Sequence, residues 1–541
     1  MTHLNVAVID DGINEAIYAI GTLLHNIEIN RDLSIQQRRL SDPEASSHGT
    51  ICAAIIKKYA PTIALSSVRI LNRDCRGLPS QLVTAINWCL KNEVHVINLS
   101  LGSIHPADYQ AIKKVINQAY NQGIIIVSAC NNRNIYTYPA SFSTVIGVKR
   151  DLTLSEGEFR FHDYPFDGIE ITACGCHTLI TSNGMPEYIH QANSYAAPLI
   201  TAQVCNLMQS SGTKLSLEEI KFGLYKKAVN CSKFYDPYLT RTIDWVQKSQ
   251  FIYLEPAGYA VEHCLPTDTT NKLKIKCEDV EDGVVKTIDF LIENKSNILD
   301  KDTITVLSPT EQRCLGLDNL YEYCCTIKSN LIFLDNCDAP PELRETNRGV
   351  KFWHPTMYHH FYQINYNNPI DKNHDDQTPV VIVYNFSHKS IVPFLHCLQC
   401  CFTKDGYRSI GVTDAVEGIC YNLELLPKNL NNMFKYGSNS FLTPYIATHH
   451  PDIVILGVTL CGDKSLLAGI DEHVRPDIRV IVSDDSTAYN HIQFAKNEFT
   501  NSLLDKSSLI NLELHQDFNT FDHWTLKQIY SDILERFKND Y

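Results

Sequence analysis

The stretch Tyr188–Asn206, YIHQANSYAAPLITAQVCN, sets a serine between an asparagine and a tyrosine. A proline follows four residues later, inside an apolar run. Proline is tolerated in the first turn of a helix, where its missing N–H has no intrahelical partner. The spacing predicts a helix with Pro198 in its first turn and Ser194 at its N-terminus. Free backbone N–H groups and the positive end of the helix dipole would then surround the serine oxygen. Alone, such a serine reads equally well as an ordinary N-cap.

Upstream of this stretch, short runs rich in Val and Ile alternate with amphipathic segments. LNVAVID (4–10), IALSSVRIL (63–71), VHVINLS (94–100), GIIIVSA (123–129) and STVIGVK (143–149) read as strands. PSQLVTAINWCLKN (79–92) and PADYQAIKKVINQAYNQG (106–123) read as helices between them, and LSLEEIKFGLYKKAV (215–229) as a closing helix. Strand and helix alternating at this spacing predict an α/β domain over 1–230, a parallel sheet with helices on both faces. In such sheets functional groups gather at the carboxyl ends of the strands.

From 231 to 375 the pattern changes to a β-rich middle region. KLKIKCEDV (272–280), VVKTIDFLIE (284–293), DTITVLS (302–308) and NLIFLDN (330–336) suggest β-hairpins. NCDAPPELRETNRG (336–349) reads as a loop and NYNNPIDKNHDDQTP (365–379) as a linker. Over 376–541 an α/β pattern resumes in PVVIVYNF, YRSIGVT, PDIVILGV and DIRVIVSDD, with a last helix near DHWTLKQIYSDILERFK. This predicts a smaller Rossmann-like α/β domain.

The bulk numbers fit a multidomain globular protein: 541 residues, 44% hydrophobic, 20% charged. A net charge of −14 argues against a nucleic-acid partner, since such binding rests on Lys and Arg neutralising phosphates. The N-terminus, MTHLNVAVIDDGIN, lacks a basic segment followed by a long apolar run, so no signal peptide is expected. No apolar run approaches the ~20 residues of a membrane span, so no membrane partner is expected. Nineteen cysteines at irregular spacing suit mostly reduced thiols and a cytoplasmic location. CGCH (174–177) and CLQCC (397–401) have metal-like spacing but no matched second pair. Neither a metal nor a cofactor is expected.

Two more local patterns carry chemistry. In VAVIDDGIN (6–14), Asp10 ends a buried strand and Gly12 follows in the turn. In SSHGTICAAIIKKYAP (46–61), His48 opens an apolar helical run beside Gly49 and Thr50. Separately these read as a strand-ending turn and a capping histidine. Together, the chain order Asp10, His48, Ser194 on a parallel α/β domain resembles that of the subtilisin-type serine proteases. INLSLGS (97–103) resembles the family's strand that binds substrate backbone and walls the S1 pocket, through Ser100, Leu101 and Gly102. IIIVSACNN (124–132) resembles the strand ending in the oxyanion-hole asparagine, here Asn131. TYPASFSTVIGV (137–148) resembles the segment beyond, with Thr137 at the S1 floor.

The resemblance implies that Ser194 is the nucleophile, His48 the general base and acid, Asp10 the residue orienting the imidazole, and Asn131 the oxyanion donor. Asp11 is a competing carboxylate, but the family pattern aligns Asp10. The chain departs from the family at several positions. Ala192-Asn193 stands for glycine-threonine before the serine, Cys130 for the glycine before the asparagine, Tyr195 for a methionine, and Ala197 for the threonine before Pro198. With the first strand starting a few residues after Met1, no pro-domain is expected, so the activity would have to be restrained otherwise.

The expected function is a cytosolic serine endopeptidase of narrow specificity. Its architecture resembles bacteriocin and ribosomal-peptide maturation proteases, which would make the partner a precursor peptide, with a maturation partner protein as a further expectation. The alternatives are a pseudoprotease scaffold that binds peptide and a general intracellular subtilisin. In VVIVYNFSHKSIVPFL (380–395), Lys389-Ser390 follows a strand and invites a phosphate-loop reading. That reading needs glycines where Val383 and His388 stand.

Overall fold

The computed structural model describes residues 4–38, 47–72, 74–231, 235–255, 269–276, 293, 303–307, 317–334, 349–367, 378–387, 389–427, 441–460, 470, 473–484, 509–514 and 523–540. The chain divides into two compact units, Met1–Trp245 and Val246–Tyr541.

The first unit is built on a nine-stranded sheet. Its strands are β1 (Asn5–Asp10), β2 (His25–Ile29), β3 (Ile35–Gln37), β4 (Ala64–Arg69), β5 (Val96–Leu99), β6 (Ile125–Ala129), β7 (Ile146–Arg150), β8 (Phe159–Phe161) and β9 (Ile171–Ala173). The order is β3-β2-β4-β1-β5-β6-β7-β9-β8. Pairing is parallel from β2 to β9, with antiparallel β3 and β8 at the edges. β1 is buried on both faces, as a central parallel strand must be. Successive side chains point to opposite faces. Val6 and Val8 therefore join one core with α1 (His48–Tyr59), α4 (Asn193–Ser211) and α5 (Leu217–Lys227). Ala7 and Ile9 join the other, with α2 (Pro79–Lys91) and α3 (Tyr109–Asn121). A hairpin of β10 (His177–Ile180) and β11 (Pro186–Ile189) precedes α4.

Local signals fix the helix ends. Ser47 caps α1 by accepting from the Thr50 N–H, and Lys57 and Lys58 lie in its last turn, where the helix dipole favours cations. Ser216 and Glu219 form a reciprocal capping box on α5. The unit continues past residue 230. Asn117 donates to the Asp244 carbonyl, the Asp244 carboxylate accepts from Ser143, and Trp245 is buried.

In the second unit the expected hairpins of the middle region are corrected. β12 (Ser249–Glu255), β13 (Thr269–Lys276), β14 (Thr303–Leu307), β15 (Asn330–Leu334) and β16 (Phe352–Trp353) all pair in parallel, in the order β13-β12-β14-β15-β16. Parallel neighbours need crossovers, and α6 (Leu317–Ile327) supplies one between β14 and β15. Both β14 and β15 are buried on both faces over residues 303–306 and 331–334, as interior parallel strands are. VVKTIDFLIE falls almost wholly outside the described residues, as do the loop at 336–348 and the linker's 368–377.

After α7 (Pro355–Asn367) comes a six-stranded parallel sheet. Its strands are β17 (Val380–Asn385), β18 (Ser409–Thr413), β19 (Glu424–Leu425), β20 (Ile453–Thr459), β21 (Ile478–Asp484) and β22 (Leu509–Leu514), in the order β19-β18-β20-β17-β21-β22. α8 (Val392–Lys404) and α10 (His523–Asp540) pack on one face, and α9 (Thr443–His449) precedes β20.

Candidate active site

Asp10 is the last residue of β1 and is fully buried. His48 is the first residue of α1. Its Nδ1 lies 2.9 Å from both carboxylate oxygens of Asp10. Four further bonds clamp the end of β1 to the start of α1. Asp11 accepts from the N–H groups of His48 (3.1 Å) and Gly49 (2.8 Å). Ser47 Oγ donates to the Gly12 carbonyl, and the Asn14 N–H donates to Thr50 Oγ1. A Cβ on Gly49 would stand 2.8 Å from the Gly12 carbonyl oxygen, so glycine permits this close approach. Asp11, set aside in the sequence as a competitor, thus holds the histidine's backbone while Asp10 holds its ring.

The charges follow from this geometry. Burial pushes the Asp10 carboxyl up, and its bond to His48 opposes that rise. Burial would push His48 down, but the hydrogen bond to Asp10 and the charges of Asp10 and Asp11 outweigh it, leaving the imidazole above its ordinary value.

Ser194 is the second residue of α4, in its first turn. Its N–H has no carbonyl one turn earlier to bond. Ala192 is extended at φ −148° and gives no side-chain cap. Pro198 is the sixth helical residue, not a first-turn residue, so the expectation is corrected. Its absent N–H is the one that would have bonded the Ser194 carbonyl. That carbonyl is instead bonded by Ser100 Oγ at 2.8 Å and approached by Cys52 Sγ at 3.6 Å. Proline inside α4 therefore frees the carbonyl of Ser194 for contacts from β5 and α1. Sequence reasoning missed this role of Ser100, although Pro198 was the signal: it leaves the carbonyl four residues earlier in need of a donor.

These contacts bring Asp10, His48, Ser100 and Ser194 together at the carboxyl edge of the sheet. The Tyr195 ring lies 5.2 Å from the His48 ring, centroid to centroid, and covers one side of the imidazole. Among the described residues, Ser194 Oγ makes no hydrogen bond to His48 Nε2; such bonds are often long before a substrate tightens them. His177, fully buried and pushed down by burial, bonds the Tyr195 carbonyl through Nε2 and Tyr59 through Nδ1. It was not singled out in the sequence as more than a member of CGCH.

Asn131 follows β6 beyond Cys130. Its side-chain oxygen accepts from the Arg133 N–H at 2.8 Å, and Nδ2 is the side chain's donor. Its own N–H donates to Thr137 Oγ1 at 3.0 Å. Thr137 is buried and donates onward to the Ile135 carbonyl, so its hydroxyl is used internally. Its methyl meets Gly102: a Cβ there would sit 2.8 Å from Thr137 Cγ2 and 2.7 Å from the Tyr138 carbonyl oxygen. Ser103 and Tyr138 exchange two backbone bonds directly beyond, at 2.8 and 2.7 Å. Leu101 packs partly against the α2–α3 core.

Among the described residues, the one set of three side chains with ligating atoms close together is Asp10, His48 and Cys52. The described residues of CGCH and CLQCC do not converge in this way. In the second unit Ser390 Oγ donates to Glu417 at 2.7 Å, so a carboxylate occupies the hydroxyl that a nucleotide reading would need. Among the described residues no helix is long and apolar enough to cross a membrane.

Comparison with known proteins places the first unit. Residues 2–242 match the model of the subtilase family, peptidase family S8. Subtilisin DY of Bacillus licheniformis is 32% identical over 120 residues, 19% of this chain and 43% of that protein. The match therefore spans less than half of that relative. Subtilisin BL of Lederbergia lenta is 25% identical over 219 residues, 38% of this chain and 80% of that protein. Among solved structures, a lanthipeptide protease is similar at 18% identity and a TM-score of 0.35, over 43% of this chain and 84% of that one. Over residues 2–242 this chain is similar to the subtilase family.

Proposed function

We propose that the first unit is a serine endopeptidase in which Ser194 attacks the scissile carbonyl. His48 takes the serine proton and later gives it to the leaving amine. Asp10 holds the ring in the tautomer with Nδ1–H and stabilises its charged form. Asn131 Nδ2 and the Ser194 N–H receive the oxyanion. The observation that carries this reading is the bond from His48 Nδ1 to a fully buried Asp10, with the Ser194 end of α4 held beside the same helix through Cys52 and Ser100. Reaction with a fluorophosphonate probe tests it: labelling should occur in the wild type and vanish in Ser194→Ala.

The finer reading is narrow specificity toward a precursor peptide, of the kind processed in bacteriocin-type maturation, in the cytoplasm. Narrowness is supported by the S1 region. Thr137 Cγ2 sits against Gly102, and Ser103 and Tyr138 are joined by a backbone bridge directly beyond. A pocket so filled favours a small P1 side chain. A library of short peptides with varied P1 should show cleavage after Gly, Ala or Ser, and Thr137→Gly should extend it to larger residues by ~10-fold or more. Broad digestion of casein would instead favour a general intracellular protease.

A further inference from the structure

We infer that Asn193 is a positioning residue that locks the oxyanion loop to the nucleophile, standing in for the glycine-threonine pair the chain lacks; this rests on the protease reading above. Asn193 is the first residue of α4, immediately before Ser194, and is 1% exposed. Its Nδ2 faces three acceptors on the loop after β6: the Asn131 carbonyl at 2.9 Å, Asn134 Oδ1 at 3.1 Å and the Cys130 carbonyl at 3.3 Å. Its Oδ1 accepts from the N–H of Arg150, the last residue of β7, at 2.9 Å. Its own backbone N–H is bonded by Asn132 Oδ1 at 3.2 Å.

One buried amide therefore joins three pieces of backbone: the loop that presents Asn131, the end of β7, and the residue before the serine. A buried amide is held rigidly only when its donors and acceptor are all used, and here they are. A threonine offers one hydroxyl donor and could not span the same set. The arrangement also explains how Ala192 is tolerated. The chain before Ser194 is extended at Ala192 rather than tightly turned, and Asn193 supplies the fixation. The distance between the two proposed oxyanion donors, Asn131 Nδ2 and the Ser194 N–H, then depends on this side chain. Displacements near 1 Å in such a constellation cost ~10²-fold in rate.

Asn193→Asp is the sharpest variant. It keeps the shape and the Arg150 contact but turns a donor toward three acceptors into a further acceptor. The fluorophosphonate places a phosphoryl oxygen in the oxyanion site, so its reaction reports directly on that geometry. Labelling is followed to completion, to count competent sites, and over a range of probe concentrations, to separate the limiting rate from the half-saturating concentration. Asn193→Asp should lower the limiting rate per competent site by ~10²-fold with half-saturation changed less than about threefold. A purely structural role would lower the number of competent sites and leave the rate at each unchanged, which would overturn the inference. If Asn193→Asp does not fold, Asn193→Thr gives the same reading and should lose at least ~10-fold per site. A wild type that does not label would overturn the protease reading and this inference with it, whereas a labelled wild type with unaltered Asn193 variants would overturn this inference alone.

Discussion

The two units place polar residues at the carboxyl ends of parallel strands in opposite ways. At the ends of β1 and β5, Asp10 bonds the His48 ring of α1 and Ser100 bonds the Ser194 carbonyl of α4, and beyond β6 the Asn131 carbonyl accepts from Asn193. His48 keeps 22% of its side chain exposed. At β17, β18 and β20, the equivalent residues are absorbed by one another. Asn385 bonds the Lys389 carbonyl and accepts from Ser387, Asp414 accepts from the Thr459 N–H, and Glu417 accepts from Ser390. Burial pushes the Asp414 carboxyl up to about 7. A crevice at strand ends is a general feature of parallel sheets. Chemistry requires in addition a titratable group left partly open, and an unspent N–H at a helix start, as at Ser194 of α4.

The comparison can be broken most forcefully at Ser194. Ser194→Ala or His48→Ala should lower hydrolysis of a cleaved peptide by ~10⁴–10⁶-fold, and the double variant should lose little more, because the groups act as a unit. Additive losses in steady-state assays would contradict a shared mechanism. Asn131→Ala should lose ~10²–10³-fold in kcat with KM nearly unchanged. An unchanged kcat would remove Asn131 from the oxyanion site.

Asp11→Asn sharpens the charge side of the comparison. The reaction needs neutral His48, so kcat/KM rises with pH through the imidazole's pKa, which Asp10 and Asp11 hold above its ordinary value. Removing one negative charge should move that acid limb to lower pH, with the plateau changed less than about tenfold. A limb that stays in place in the pH–rate profile would show that Asp11 acts only as a helix clamp.

In the second unit the smallest effect is expected, on stability alone. The Asp414 carboxyl titrates at about 7 when folded, above its unfolded value near ~3.9. The folded state therefore binds more protons between those values, and the group's contribution is lost as pH rises through about 7. Asp414→Asn should raise Tm more at pH 8 than at pH 5, with peptidase activity unaffected. An equal shift at both values would mean that Asp414 is ionised in the fold throughout.

Much of the first unit could be read from its residues. VAVID, VINL and IIVSA are short Val- and Ile-rich runs separated by amphipathic stretches, and each became a strand of the parallel sheet. The triad candidates stood out because each sits where such a run ends or a helix begins. The middle region was misread because runs like TITVL do not reveal their pairing direction; that depends on crossovers distant in sequence. Pro198 was placed one turn too early because the spacing alone does not show where an uncapped helix starts. Asn193 and Ser100 were visible as residues but not as partners. Their acceptors lie 62 and 94 positions away, at the Asn131 and Ser194 carbonyls, and only the fold brings these together.

The most direct measurement is the reaction of purified protein with a fluorophosphonate probe, alongside Ser194→Ala. The geometry at Asp10, His48 and Ser194 predicts covalent labelling of the wild type and none of the variant. Absent labelling of a folded wild type, or equal labelling of both, would contradict Ser194 as the nucleophile.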